Sequence, residues 1–411
     1  MTRPDSDVTK SLIVLAVFQY IFLCRALRLW RAHRKHSQYP YKTRESFASM
    51  TNEHAWEIQK YVFSLEFPFT VEKSLQFALF RTYGIPTIST LLVKTKQLSY
   101  SATASKRVVD TAVLISEFIG HSPTTARHNA AIARMNYLHS IYQKSGLISN
   151  DDMLFTLALF ALEPIRWIAR YEWRDLTPME TCAIATFWKS TGDAMGISYD
   201  ALPSSGTGWK DGLHWLEEVE AWSQAYEERY MVPDVHNHQT ANETTAILLY
   251  EMPKSLWPIG KRIVSAMMDD RLRAAMLYEP PPPGYIERVN YVFLVRRLIL
   301  RNLALPRPYA LRYMTVTDDP DPKTGRYYRT GYDAEPWYVP ATFWNRFGPQ
   351  AWMRWLAGRP YPGRGFKPEG LTIPEVGPVN MEGKGRDYFE GTKEKLMGMG
   401  RGGCPFAFQK E

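Results

Sequence analysis

The sequence predicts an all-α fold with an N-terminal membrane anchor and an irregular C-terminal extension. Three observations lead to this prediction. Apolar residues recur three and four positions apart through most of residues 51–230, an uncharged apolar run lies near the N-terminus, and prolines and glycines interrupt residues 281–411. No alternating strand pattern or nucleotide-binding glycine fingerprint competes with this interpretation. The chain has 411 residues, enough to bury one large core or two ordinary ones.

The composition and net charge indicate which kind of partner the protein binds. The formal net charge is +8 at pH 7, and 45% of the residues are hydrophobic, as in a folded protein. Much of the positive excess is local, which favours a membrane surface over nucleic acid as the partner. The cysteines are odd in number and far apart, so they argue against a disulfide framework and favour a reducing, cytosol-facing main domain; they are Cys24, Cys182 and Cys404.

The N-terminal apolar run predicts a single-pass anchor. Residues 11–24, SLIVLAVFQYIFLC, carry no charge and precede the basic stretch RALRLWRAHRKH. A bilayer span needs about 20 residues, and adding RALRLW reaches that length with arginines directed toward the head groups. We predict a short N-terminal segment at residues 1–10, a transmembrane anchor at 11–30 and a basic juxtamembrane linker at 31–50.

The basic flanks predict the orientation of this anchor. Two Lys or Arg residues precede the run and five follow it closely, so the positive-inside rule places the N-terminus in the lumen and the main domain in the cytosol. An amphipathic helix lying on the membrane surface is the alternative. A cleaved signal peptide is disfavoured because the charges follow the run and no small-residue cleavage site comes after it.

Residues 51–280 form the predicted helical core. Thr51 begins a helix that breaks at Pro68, and Thr177-Pro178-x-Glu180 is a capping box with a proline at the first helical position. The stretch SNDDMLFTLALFALEPIRWIARYEW is apolar on nearly every side, which predicts a buried central helix, kinked at its internal proline. Residues 281–411 contain EPPPPG, DDPDPKTG and a Gly-rich tail, and we expect them to pack on the core or the membrane.

The stretch ARMNYLHSIYQKSG places a histidine on the apolar stripe of a helix. His139 follows Met135 by one turn. Taken alone, such a residue is more often a hydrogen-bonded core histidine than a ligand. The apolar helix that follows could form one wall of a large cavity, and Arg107 and Thr111 lie four apart on one face of the preceding helix. A neutral imidazole on an apolar wall is what haem iron requires as a proximal ligand.

Two further candidates carry less weight. His236 and His238, in DVHNHQ, lie two apart in a predicted polar loop and could bind a metal, but no Cys or carboxylate pattern supports them. Cys404, in GGCPF, could present a thiolate to iron, but in a Gly-rich tail an inert thiol is the better interpretation. No G-x-S-x-G or H-E-x-x-H motif is present.

Several stretches closely resemble the fungal endoplasmic-reticulum-bound oxygenases of mycophenolic acid biosynthesis. These share a catalytic domain with the bacterial latex-clearing rubber oxygenases. The resemblance runs through YKTRESFASMTNEHAWEIQKYVFSLEFPF, QFALFRTYGIPTIS, LHSIYQKSG, FTLALFALEPIRWI, FWKSTGDAMGIS and MMDDRLRAAMLYE to FWNRFGP and GGCPF. It covers nearly the whole chain for the fungal branch and roughly residues 50–230 for the rubber oxygenases.

The resemblance implies a globin-like helical core with haem b, and dioxygen-dependent cleavage of an isoprenoid carbon–carbon double bond. The axial histidine of the rubber oxygenases and their upstream R-x-x-x-T pattern correspond to His139, Arg107 and Thr111. Asp110 stands where those enzymes have a lysine, and the most similar position for a catalytic carboxylate is Glu163.

The resulting hypothesis is a haem-dependent oxygenase of the endoplasmic reticulum membrane. It would cleave the farnesyl-type side chain of a prenylated meroterpenoid with dioxygen as co-substrate, and no nucleic acid partner is expected. One alternative is a haem peroxygenase or hydroxylase that oxidises a terpenoid without cleaving it. The other is a non-catalytic, membrane-tethered lipid-binding protein, which would be colourless and would keep His139 as a hydrogen-bonded core residue.

Overall fold

The fold is built almost entirely from helices. A computed structural model describes residues 6–96, 98, 101–331 and 334–406. Over these residues the only β-pairing is two isolated bridges, Val316 with Arg329 and Tyr327 with Leu371, so the all-α prediction is confirmed. The α-helices in chain order are α1 Ser6–Ser37, α2 Asn52–Tyr61, α3 Pro68–Thr82, α4 Pro86–Lys94, α5 Ser101–Gly120, α6 Ala126–Lys144, α7 Asn150–Tyr171, α8 Pro178–Ala194, α9 Gly212–Tyr230, α10 Val235–Leu248, α11 Trp257–Met267, α12 Asp270–Ala275, α13 Tyr285–Asn302, α14 Phe343–Phe347, α15 Pro349–Leu356 and α16 Arg386–Gly398.

Helix α7 is the centre of the core. Most of its side chains are buried, as its apolar sequence predicts, and it packs against α3, α8 and α9. Pro164 lies inside the helix. Thr177 and Glu180 form the predicted capping box at the start of α8. Two buried clusters result, one centred on α2 and α5–α8 and the other on α3, α4 and α10–α12.

Helix α1 is longer than the predicted anchor. Its N-terminal half is apolar and exposed, and it is the one helix of the described chain that is long and apolar enough to cross a membrane. Its C-terminal half lies against the core, where Arg31 pairs with Glu66 at 2.6 Å and His36 contacts Glu180 at 3.1 Å. The helix continues to Ser37, and the residues after it include buried aromatic side chains at Tyr39, Tyr41 and Phe47. Much of the segment expected to be a linker therefore belongs to the core.

The C-terminal extension wraps around the helical core. The buried guanidinium of Arg134 on α6 donates to the carbonyl oxygens of Val376, Met381 and Lys384 at 2.7–2.9 Å. Near the C-terminus, the carbonyls of Gly402 and Gly403 accept from the first backbone N–H groups of α2. The Gly-rich tail thus supplies partners that a helix N-terminus would otherwise lack.

Candidate functional site

Two adjoining cavities lie between α4, α5, α6 and α7. They contain about 1140 Å³ and 600 Å³ of non-atom space, a volume that includes open solvent. We treat them as one site, the histidine cavity, because they share six lining residues: Leu79, Arg107, Thr111, His139, Met153 and Thr156.

The imidazole of His139 faces this cavity without a hydrogen-bond partner in the described chain. Its Nδ1 atom is fully buried and unpaired. Protein surrounds the ring, and this burial, followed by the charge of Arg107, lowers the pKa of His139 to about 4. The ring is therefore neutral at physiological pH, which is the form that binds metal ions. Buried polar atoms nearly always have partners in folded proteins, so this unpaired nitrogen makes His139 a candidate ligand-binding residue.

Arg107 and Thr111 come together on the cavity-facing side of α5. The guanidinium of Arg107 donates to the hydroxyl oxygen of Thr111, and that hydroxyl donates to the Arg107 carbonyl at 2.9 Å. The structure therefore brings Arg107, Thr111 and His139 to one cavity, although they come from two helices. This arrangement presents one fixed cation and one imidazole on walls that are mostly apolar.

Glu163 does not line the histidine cavity. Its Oε1 accepts from Arg166 at 3.1 Å and its Oε2 accepts from Trp167 Nε1 at 3.0 Å, both within α7. These contacts hold the carboxylate inside the core, away from Arg107 and His139.

Asp152 is the carboxylate that does line the cavity, and the sequence analysis missed it. It is buried, accepts from Tyr226 and Thr87 at 2.9 Å each, and accepts from Ser149 at 2.8 Å. Its position could have been found from the sequence, because Asp152 and Thr156 lie four apart on one face of α7.

The remaining polar candidates have other partners. The polar-loop interpretation of His236 and His238 is wrong: both lie in α10, which begins after the capping residue Asp234. His238 contacts the Met276 carbonyl at 2.8 Å, and no group of three His, Cys, Asp or Glu in the described residues could hold a metal. The thiol of Cys404 donates to the Ala48 carbonyl at 3.3 Å.

Asp110 is part of a buried polar cluster behind the cavity wall. Its Oδ2 accepts from Lys106 at 2.7 Å and its Oδ1 accepts from the hydroxyl of Tyr338 at the same distance. Lys106 also donates to the Gly377 carbonyl at 2.6 Å. This cluster joins α5 to the C-terminal extension and leaves Asp110 no role on the cavity surface.

The sequence comparisons assign the chain to a known family of enzymes. Residues 88–299 match the catalytic domain described as ER-bound oxygenase mpaB/B′/rubber oxygenase. That range contains the three cavity residues Arg107, Thr111 and His139. The chain belongs to this family. Members of the mpaB/rubber oxygenase family are oxidoreductases, and this chain is accordingly an oxygenase.

Relatives in the same family match most of the chain. The ER-bound oxygenase mpaB′ of Penicillium brevicompactum is 50% identical over 390 residues, covering 94% of this chain and 92% of the relative. The ER-bound oxygenase mpaB of the same organism is 48% identical over 364 residues, covering 89% and 86%. The ER-bound oxygenase mpaB of Penicillium roqueforti is 54% identical over 268 residues, covering 65% and 90%.

Proposed function

We propose that this chain is a haem-dependent oxygenase that cleaves a carbon–carbon double bond in the prenyl side chain of a fungal meroterpenoid. The substrate class is a farnesyl-type intermediate of a pathway like that of mycophenolic acid. The observation that carries the proposal is the neutral, unpartnered imidazole of His139 on the wall of a large apolar cavity.

The residues of the cavity fit a haem group. In the described chain a single histidine faces the cavity and no set of three protein ligands is present. One protein ligand is enough for haem, because the porphyrin supplies the other nitrogen atoms. His139 would bind the iron, and Arg107 would bind a haem carboxylate or a polar oxygen of the bound reactants. Haem b, when bound, supplies the oxygen chemistry that protein side chains lack.

The chain's own groups prepare the cavity for that chemistry. Burial keeps the His139 ring unprotonated, so its lone pair is available. Thr111 holds the Arg107 guanidinium in one orientation by a hydrogen bond. The α7 side chains Met153, Leu157 and Phe160 form an apolar wall that excludes water and suits an alkene.

We also propose that α1 spans the endoplasmic reticulum membrane with its N-terminus in the lumen. The relatives are named ER-bound, and the exposed half of α1 is uncharged from residue 11 to residue 24. Arg25 and Arg28 donate to Asn302 and to the carbonyl of Ala304, at 2.7 Å and 2.8 Å. These bonds fix the end of the apolar run at the level of the C-terminus of α13.

A second exposed apolar surface lies on α13, which packs against α1, and on the α14–α15 pair. Helix α13 exposes several apolar residues, and the α14–α15 pair exposes a row of large ones: Phe343, Trp344, Phe347, Trp352, Met353, Trp355 and Leu356. No acidic residue occurs between residues 341 and 368, whereas four arginines do. Aromatic side chains with nearby cations suit the head-group region of a bilayer. We propose that this face rests on the membrane beside α1.

The deciding experiment is an absorption spectrum of the detergent-purified protein before and after dithionite. We expect a haem Soret band in the wild type and its loss in His139→Ala. A His139→Ala protein that retained full haem and activity would refute the ligand assignment. Product masses then test the reaction, because cleavage removes the carbons beyond the broken bond and hydroxylation retains them.

A further inference from the structure

A second large cavity lies on the other side of α5. It holds about 1300 Å³ of empty space, part of it open to solvent, between α3, α5 and the segment 312–318. Aliphatic side chains form most of its walls, including Val71, Leu75 and Ile119. We call it the lateral cavity. Its apolar walls suit a ligand with a long apolar portion.

The lateral cavity and the histidine cavity are separated by single side chains. Leu79 lines both, and so do Val108 and Ile115 of α5. Ile115 is almost fully buried, whereas Leu79 is half-buried. A rotamer change of these aliphatic groups would join the two spaces without moving a helix.

Part of the polar lining of the lateral cavity, Glu117 and Asp318, contacts Arg127, which does not line the cavity itself, while Glu72 and Gln76 line it from α3. Arg127 donates to both carboxylate oxygens of Glu117 and to the carbonyls of Thr317 and Asp318. Arg312 pairs with the side chain of Asp318. These contacts bring the charged ends of α5 and of segment 312–318 together, so the cavity has a charged end distinct from its apolar wall at Leu79.

Lys60 is the cation at this end without an ion pair in the described chain. Its ammonium lies over the Trp56 ring, 4.9 Å from the centroid, and lines the cavity. The other charged residues of the lining are Arg312, Arg329, Glu72, Glu117 and Asp318, so the lining charges balance. An ammonium group without a carboxylate partner favours a ligand whose polar head is anionic or accepts hydrogen bonds.

Much of this cavity lies outside the family's matched catalytic domain. Its walls from residues 60–79 and 312–329 fall outside residues 88–299, whereas α5 falls inside. The histidine cavity is therefore built mainly from the shared domain, and the lateral cavity adds elements that flank it. Such flanking walls are suited to selecting a substrate.

We propose that the lateral cavity is the binding site for the substrate's polar head and the first part of its isoprenoid chain. The head lies at Lys60, the chain runs along Ala112 and Ser116 of α5, and its far part passes Leu79 and Ile115 into the histidine cavity. This inference rests on the proposed function for the identity of the chain and the site of cleavage. Binding itself requires neither haem nor turnover.

The test measures retention of radiolabelled farnesol and farnesoic acid by the detergent-purified full chain. Ala112→Phe places a ring inside the lateral cavity, and Ala201→Phe, at an exposed turn, is the matched control. We expect Ala112→Phe to weaken binding of both probes by about tenfold or more, with Ala201→Phe close to wild type. Wild-type affinity in a folded Ala112→Phe protein would overturn the proposal.

Two further variants keep the result interpretable. If Ala112→Phe fails to fold by circular dichroism, Ser116→Leu fills the same space with a smaller change. Lys60→Met should remove a preference for farnesoic acid over farnesol, and an unchanged preference would refute the head-group assignment. If the wild type is colourless but binds farnesol, and Ala112→Phe weakens that binding, the haem function is contradicted and the lateral binding site is supported. If the wild type has a normal Soret band but does not bind farnesol, the haem function is supported and the lateral binding site is refuted.

Discussion

The guanidinium of Arg401 donates a hydrogen bond to Nε2 of His128 over 3.1 Å, although 273 positions separate the two residues. Because arginine can only donate, Nε2 must accept, and the ring proton therefore lies on Nδ1. That atom is 2.8 Å from the Phe118 carbonyl and 3.0 Å from the His121 carbonyl. Burial, followed by the charge of Arg401, lowers the pKa of His128 to about 3.

This pairing predicts that acid destabilises the protein through His128. The unfolded state takes up a proton near pH 6.5, but the folded state resists it until about pH 3. The stabilisation from neutral His128 is therefore fully present above pH 6.5 and is lost as the pH falls toward 3, by about 5 kcal/mol at most. Denaturant unfolding at pH 7 and pH 4.5 should show a smaller drop for His128→Asn than for wild type. The exposed His33→Asn should behave as wild type.

Removing the Thr111 hydroxyl should impair turnover more than folding. Thr111→Val keeps the shape of the side chain but removes the partner of the Arg107 guanidinium. We expect about tenfold lower kcat/KM, the value of one charge-assisted hydrogen bond, with haem content and melting temperature near wild type. Loss of haem in Thr111→Val would instead show that the pair retains the cofactor.

Asp152 and Glu163 both lie in α7, and substitutions at these two carboxylates should have different effects. Asp152→Asn changes a group on the cavity wall, and we expect a clear loss of turnover with a normal Soret band. Glu163→Gln disturbs bonds to Arg166 and Trp167, so it should lower the free energy of unfolding by about 1–3 kcal/mol and spare turnover. Steady-state rates and denaturant midpoints of both variants decide the question. The reverse pattern would restore Glu163 as the catalytic carboxylate.

Breaking the buried Lys106–Asp110 pair should be strongly destabilising. Lys106→Met leaves the carboxylate buried without its cation, a change that costs about 3–5 kcal/mol. The double variant with Asp110→Asn removes both charges and should recover much of that loss. Urea unfolding of the two single variants and the double variant gives the coupling energy. Simple additivity would mean that the 2.7 Å contact contributes little.

Short-range sequence patterns predicted the helices. The features that these patterns did not predict depend on tertiary packing. The capping box at Thr177 and the buried α7 depend on neighbouring residues, so the sequence reveals them. The shared face of Arg107 and Thr111 follows from helical spacing in the same way. The core packing of the segment after α1 was not predictable because it depends on tertiary contacts, such as those of Tyr39 and Tyr41 with His54 of α2. Asp234 is a typical N-cap residue and indicates the start of α10, but the polarity of DVHNHQ favoured a loop.

The docking of Gly402 and Gly403 on the first turn of α2 has a consequence for biosynthesis. These residues are synthesised long after α2, whereas α1 is synthesised before it. The nascent chain therefore has α1 available for insertion long before α2 can receive these backbone partners. We expect this part of the core to close only after residue 403 has been made, beside the bilayer, and a premature stop codon before Arg401 to yield an inserted chain that is open to degradation.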